Sequence, residues 1–277
     1  MKEPSENTAD LERSLSLIER LWNQAWLRKA LVVLLIAVSW EIYARVLNNE
    51  LMVPTFLNTI VSLASHIVDG ELLERIWNSL GTLCTGYVIG VALAVLLSTF
   101  AATTRIGNDI LETLTAMLNP LPAIALLPLS LLWFGIGSFS IVFVIVHSVL
   151  WPITVSTHGG FSSVSPTLRM VGRNYGLHGP GLVGKILIPA ALPGIITGLK
   201  NGWAFAWRTL IAAELVFGVS SGSGGLGWFI FEKKNQLDID AVFAGLLSVI
   251  LIGVLVENLL FRLLERATIF RWGMQEV

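Results

Sequence analysis

Residues 80–101 read Leu80-GTLCTGYVIGVALAVLLSTF-Ala101, twenty-two positions without an acidic or basic side chain. A helix rises about 1.5 Å per residue, so about 20 apolar residues cross a hydrocarbon core ~30 Å thick. This stretch is long enough to span a bilayer and too apolar to serve as the surface of a soluble domain. Five further runs resemble it, at Ala30 to Leu47, Leu118 to Gly135, Phe139 to Val155, Leu192 to Val219 and Val242 to Leu264. The run from Leu118 to Gly135 contains Pro120, Pro122 and Pro128. Missing backbone hydrogen bonds are tolerated in a membrane only where protein or a cavity surrounds the segment.

Composition agrees. The chain has 277 residues, of which 54% are hydrophobic and 13% charged. Soluble domains carry about 25% charged residues. Mean hydropathy is +0.74. These values exclude a disordered or fibrous chain and most soluble folds. Long continuous apolar runs, rather than short alternating ones, select helices over a barrel. The expected fold is an all-α integral membrane protein with six transmembrane helices. Net charge of −1 gives no general attraction to nucleic acid. The one cysteine, Cys84, can form neither an intrachain disulfide nor a thiolate cluster, and packing is its expected role. Ten tryptophans suit a protein with two membrane interfaces.

The few basic residues carry topology. Lys2, Arg13, Arg20, Arg28 and Lys29 precede the first span. Arg105 lies between the second and third, Arg169, Arg173 and Lys185 between the fourth and fifth, and Arg262, Arg266 and Arg271 close the chain. Six crossings put these four regions on one side, which the positive-inside rule makes cytoplasmic, with both termini inside. The opposite side holds Arg45, Arg75, Lys233 and Lys234, and Lys200 and Arg208 fall within the fifth span. The chain divides into a cytoplasmic N-terminal segment, 1–29, a six-span domain, 30–264, with a long inner loop at 156–191, and a cytoplasmic tail, 265–277. No small-residue cleavage site follows the first apolar run, so it does not read as a secretory signal. Leu11, Leu15, Ile18 and Trp22 form one apolar stripe, consistent with an interfacial helix or with a partly ordered tail. The outer stretch from Asn48 to Ser79 is expected to contain a surface helix.

Two glycine-rich segments imitate nucleotide sites. Gly222-Ser-Gly-Gly-Leu-Gly227 matches G-x-G-x-x-G but follows a membrane span instead of a strand, and reads as a flexible turn. Gly179-Pro-Gly-Leu-Val-Gly-Lys185 approaches a phosphate loop, but Ile186 stands where Ser or Thr would hold magnesium. The chain is therefore not expected to bind ATP. The four histidines show no metal-ligand spacing. His147, within the fourth span, reads as a hydrogen-bonded core histidine, with a functional polar group as the alternative. No nucleophilic triad or elbow is visible, so catalytic and metal residues are expected to be none and the chain is not expected to be an enzyme.

The long inner loop contains Met170, Val171, Gly172, Arg173, Asn174, Tyr175, Gly176 and Leu177, followed by Ile186-Leu187-Ile188-Pro189. Gly176 can close a short helix in the left-handed conformation. A compact helix-turn-helix of this kind suits a groove on another protein.

Here the chain resembles the membrane-spanning permeases of bacterial ABC importers. Their loop reads E-A-A-x-x-x-G, nine residues, then I-x-L-P, and the same spacing separates Gly176 from Ile186. The likeness is closest to the nitrate, sulfonate, taurine and bicarbonate branch, with Ala191-Leu-Pro193, Gly198-Leu199, Ala213-Glu-Leu215, Gly225-Leu-Gly227, Pro120-Leu-Pro122, Leu127-Pro-Leu129 and Trp133-Phe-Gly-Ile-Gly137 matching its motifs. It covers roughly residues 30 to 270. Met170-Val-Gly172 replaces the Glu-Ala-Ala opening, which removes one polar contact from the docking helix.

The resemblance implies a type I ABC importer permease fold in the bacterial inner membrane. Met170 to Leu177 would be the coupling helix for the ATPase. The partners would be two ATP-binding subunits carrying ATP and Mg, a periplasmic or lipid-anchored substrate-binding protein, and a second permease copy, usually identical. The solute would be a small anion such as a sulfonate, taurine, nitrate or bicarbonate. A vitamin-precursor or other small organic solute is the alternative. A stand-alone carrier would have no need of the docking helix.

Lys200, Trp203, Trp207, Ile211 and Glu214 fall within about 80° of arc at 100° per residue. They are expected to face the bundle interior or a dimer axis and, with Arg208, to line the translocation path. Helix packing, with Glu214 hydrogen-bonded to a neighbouring span, accounts for the same spacing.

Overall fold

The computed structural model describes residues 23–217 and 224–270. The stripe of Leu11, Leu15, Ile18 and Trp22, the first half of the glycine-rich turn at Gly222, and Arg271 lie outside the described residues. The described residues form helices and connections without a strand. In chain order the helices are α1 (Ala25–Leu47), α2 (Phe56–Val68), α3 (Glu71–Thr103), α4 (Arg105–Leu118), α5 (Leu127–Phe134), α6 (Ser138–Ser163), α7 (Pro166–Asn174), α8 (Gly179–Leu182), α9 (Ile188–Ala190), α10 (Leu192–Phe217), α11 (Leu226–Asn235), α12 (Ile239–Leu255) and α13 (Arg262–Glu265).

Their starts are written in local chemistry. Thr55 Oγ1 accepts the Asn58 N–H at 3.1 Å to open α2, and Thr104 Oγ1 accepts the Gly107 N–H at 2.9 Å to open α4. The Asp238 carboxylate accepts the Ala241 N–H at 3.1 Å to open α12. The turn between α3 and α4 is therefore only Thr104 wide.

Four helical runs are long and apolar enough to cross a bilayer, namely α1, α3, α6 and the run Ile239–Thr268. The other two of the six spans are bent. Arg105–Leu118 meets Ala123–Phe134 at 87°, and Gly179–Ala190 meets Leu192–Val216 at 82°. The first bend corrects the expectation of one span from Leu118 to Gly135. Pro120 and Pro122 supply no N–H, and each disfavours helical geometry in the residue before it. The helix stops at Leu118 and resumes as a 3₁₀ turn, Ala123–Leu126, that feeds α5. The inner boundary also moves: Ile239–Thr268 continues past position 264 without a break.

Helix α6 forms the axis of the core, flanked along its length by α3 and α10. Ile141, Val144, Ile145, Val149 and Ile153 are buried between them with Leu83, Ala94, Ala206 and Leu210. Backbones come close because one partner lacks a side chain: a Cβ on Gly86 would stand 2.6 Å from Ile145 Cγ2. Lipid tails are as apolar as Leu, so dispersion across such small-residue seams, rather than a hydrophobic drive, holds membrane helices together. At the α11 end, Glu71 pairs with His66 at 3.1 Å and Lys233 at 3.2 Å, while Arg75 reaches Glu232 at 2.9 Å. This cluster ties α2, α3 and α11 together. Helix α1 packs on α2, with the Trp40 indole donating to the Pro54 carbonyl at 3.0 Å.

Candidate functional site

The loop from 164 to 191 is seated, not loose. Val164, Val183, Leu187 and Ala191 are buried against Phe161 at the end of α6. The Arg169 guanidinium donates to the Phe161 carbonyl, and its Nε–H donates to the Val164 carbonyl at 3.4 Å. A cation thus satisfies the exposed carbonyls where α6 ends. Pro166 stands in the first turn of α7, with Ser165 Oγ accepting the Leu168 N–H at 3.3 Å.

At the far end of α7, Gly176 has φ +76°. The Leu177 N–H donates to the Gly172 carbonyl at 3.0 Å and the Gly176 N–H to the Arg173 carbonyl at 2.9 Å. This pair is a Schellman motif. Met170 to Asn174 are therefore helical, while Tyr175, Gly176 and Leu177 form the turn that stops the helix. Gly172 faces inward, where an added Cβ would lie 2.8 Å from Leu182 Cδ1. Leu168, Met170, Val171 and Tyr175 are exposed around this helix and its turn, the last 82%.

Pro189 explains the shape of the second half of the loop. It has no N–H for the Lys185 carbonyl. The helix widens to π geometry over Val183–Leu187, with the Ile188 N–H bonding to the Val183 carbonyl.

The charged stripe of α10 is divided by the fold. Lys200, Trp203, Trp207 and Arg208 line a cleft of about 470 Å³ closed on its other side by Glu257 and Glu265. Lys200 Nζ lies 2.9 Å from Glu265 Oε1. The Trp207 indole donates to the Val249 carbonyl at 3.3 Å, fastening α10 to α12. Trp203 packs edge-on against Tyr87, with ring centroids 5.3 Å apart. The Arg208 guanidinium sits over the Phe205 ring at 4.8 Å. Two cations and two acids thus surround one opening.

Glu214 lies away from this cleft, toward the α11 end, and is 3% exposed. Ser79 Oγ is 2.8 Å from each of its carboxylate oxygens, and the Gly227 N–H donates to Oε2 at 2.8 Å. The Leu226 N–H donates to Ser79 Oγ at 2.8 Å, and Asn78 Nδ2 donates to the Gly224 carbonyl at 3.1 Å. A Cβ on Gly225 would fall 2.0 Å from Glu214 Oε1. The glycine-rich segment, read from sequence as a flexible turn, is pinned from Gly224 onward around this carboxylate. Two separate motifs, Ala213-Glu214-Leu215 and Gly225-Leu226-Gly227, are one unit in space.

His147 also departs from expectation. Among the described residues neither ring nitrogen finds a hydrogen-bond partner. Ser79 and Glu265 were not singled out from the sequence, because each acquires its role from a distant partner, 135 positions away in Ser79–Glu214 and 65 in Lys200–Glu265. The described residues bring together no group of three metal-ligating side chains.

Up to six helical spans, a seated loop with exposed apolar side chains at one end and a charged cleft beside α10 are the architecture of a polytopic membrane protein. Residues 86–269 match the family described as the binding-protein-dependent transport system inner membrane component. The chain belongs to that family, as a permease subunit of a binding-protein-dependent ABC transporter. It is 30% identical over 229 residues to a putative ABC transporter permease of Methanocaldococcus jannaschii, covering 81% of this chain and 84% of that protein. The taurine transport system permease of Escherichia coli is 28% identical, with 90% of each chain covered. The nitrate import permease of a Synechocystis species is 28% identical, with 84% and 86% covered.

Proposed function

We propose that this chain forms the translocation path of an ATP-driven importer for a small anion of the sulfonate, taurine, nitrate or bicarbonate kind. A binding protein would deliver the solute on the outside. Two ATPase subunits would dock on the inside through Met170 to Leu177, and a second permease copy would complete the path. ATP hydrolysis belongs to the partner subunits, and both termini face the cytoplasm. The observation that carries this reading is the set of exposed apolar side chains on α7 and its turn, held by the Gly176 turn and anchored to α6 by Arg169. A solitary carrier gives these side chains nothing to do. The binding of ATP by two subunits would pull on α7 and, through α6 and α10, rock the spans between two packings, which coupling requires.

The cleft holding Lys200, Trp203, Trp207 and Arg208 is the proposed passage on the α7 side of the bundle. An intramembrane charge ordinarily faces a cavity or a partner. Lys200 is neutralised by Glu265, which leaves Arg208 as the cation better placed to meet an anion. Glu214 serves in this reading as the clamp of the α10–α11 connection. The balanced charge of the cleft also favours a second reading, a zwitterionic or neutral organic solute such as a vitamin precursor. The test is uptake by the chain co-expressed with its ATPase and binding protein. Arg208→Ala should abolish uptake while the complex still assembles, and normal uptake by that variant would remove Arg208 from the path. Competition by sulfonates, nitrate and neutral solutes against the same uptake would separate the two readings.

A further inference from the structure

The proline break between α4 and α5 opens onto a second cleft, of about 270 Å³, on the other side of α10 from the Lys200 cleft. Asn119 and its neighbours in the break form one wall, His147 and Trp151 of α6 a second, and Phe205 and Thr209 of α10 a third. Trp151 is 5% exposed. Among the described residues its Nε1–H has no acceptor, and His147 Nδ1 and Nε2 have no partner. Positions 147 and 151 are one helical turn apart, so both rings stand on one face of α6, with centroids 6.1 Å apart. Pro152 lies in the same wall and gives no N–H to the Ser148 carbonyl.

Buried polar groups in proteins are paired, and in a membrane the alternative is costly. Here three orphaned ring nitrogens, none open to solvent in this packing, belong to two side chains that line one cleft at the point where the backbone is irregular. Irregular backbone at membrane depth is tolerated where it lines a polar cavity. Indole supplies a donor only, and a neutral imidazole one donor and one acceptor. Two donors on one face suit an oxyanion, and the volume, roughly nine times a water's ~30 Å³ share of the liquid, admits a small solute whole.

We propose that this cleft is a solute-binding subsite of the translocation path, in which Trp151 and His147 donate hydrogen bonds to the oxyanion of a passing sulfonate-like solute. The proposal rests on the permease reading above. It adds a second station to the path, with Arg208 between the two clefts and its guanidinium over Phe205, whose ring lines this one.

The test uses the full complex in proteoliposomes with radiolabelled taurine, methanesulfonate and nitrate as probes. Trp151→Phe keeps the ring and removes the donor; His147→Leu removes both nitrogens. Each should raise the KM for the transported probe roughly tenfold, the size of one lost hydrogen bond to a charged group, and His147→Gln should recover most of the loss. Wild-type kinetics in both Trp151→Phe and His147→Leu would overturn the proposal while leaving the permease reading intact. A wild-type complex that transports none of the probes and whose ATPase ignores the binding protein would overturn both. A second measurement does not depend on those variants folding. Cys84 is the one native cysteine, so Thr209→Cys in a Cys84→Ser background reports on the cleft alone. It should react with an anionic methanethiosulfonate, and the transported probe should protect it. No labelling in either the nucleotide-free or the ATP-trapped complex would show that the cleft never meets water, and would overturn the proposal.

Discussion

Glu214 illustrates how one residue can resemble a substrate ligand in sequence and act as a structural clamp. Its carboxylate accepts from Ser79 on α3 and from the backbone of α11, so a single side chain on α10 ties three helices together. Hydrogen bonds to a charged group are worth about 1.5–3 kcal/mol each, and leaving such a group unsatisfied costs more than the bond is worth. Gly225 is the other half of the clamp, since any Cβ there would occupy the position of Oε1. Gly225→Ala should therefore destabilise the protein by roughly 2–4 kcal/mol, read as a lowered unfolding midpoint in detergent, whereas Gly81→Ala, where no neighbour lies within 4 Å, should not. The motif residues on either side of this clamp were legible in the sequence. Their meeting was not, because Ser79 and Glu214 are separated by 135 positions and neither shows a local signal of the other.

At the scale of an element, α7 shows how far local chemistry reaches. Gly176 can be read from the chain as its stop, because capping involves only neighbours, whereas the start at Ser165 and Pro166 lies four residues ahead of the expected Met170. Gly176 at φ +76° is the position that no β-branched residue adopts without strain. Gly176→Val should cost about 1–2 kcal/mol locally and disturb the presentation of Tyr175. The expected outcome is a complex whose ATPase is no longer stimulated by the binding protein, although the permease still inserts. The helix break at Asn119 to Pro122 was legible only in part. Three prolines signalled trouble, but a bend of 87° depends on what the two halves pack against, and that is a tertiary matter.

At the scale of the whole molecule, the arrangement of α3, α6 and α10 sets the two clefts apart. Helix α10 stands between them, with its indole-rich face on one side and Phe205 and Thr209 on the other. A path that uses both must pass across α10 or change which one it opens, which is the behaviour expected of a bundle that rocks between two states. The topology belongs to this scale as well. Twelve of the 18 bases fall on one side when six crossings are assigned, as the positive-inside rule requires. Reporter fusions at both ends of the chain should be active only as cytoplasmic markers; an externally active C-terminal fusion would reduce the crossings to an odd number.

The charge deficit and the length of the apolar runs determine from sequence alone that this is a helical membrane protein. Short-range signals determine where α7 ends, because the Gly176 turn depends on residues within one or two turns of each other. Only the tertiary structure decides that Lys200 is paired with Glu265, that Glu214 is a clamp, and that His147 and Trp151 line one cleft with ring nitrogens that have no partner among the described residues. Each of those statements is about which distant groups meet. In a chain where apolar residues outnumber charged ones so heavily, helical periodicity says which face is polar but not what stands opposite it.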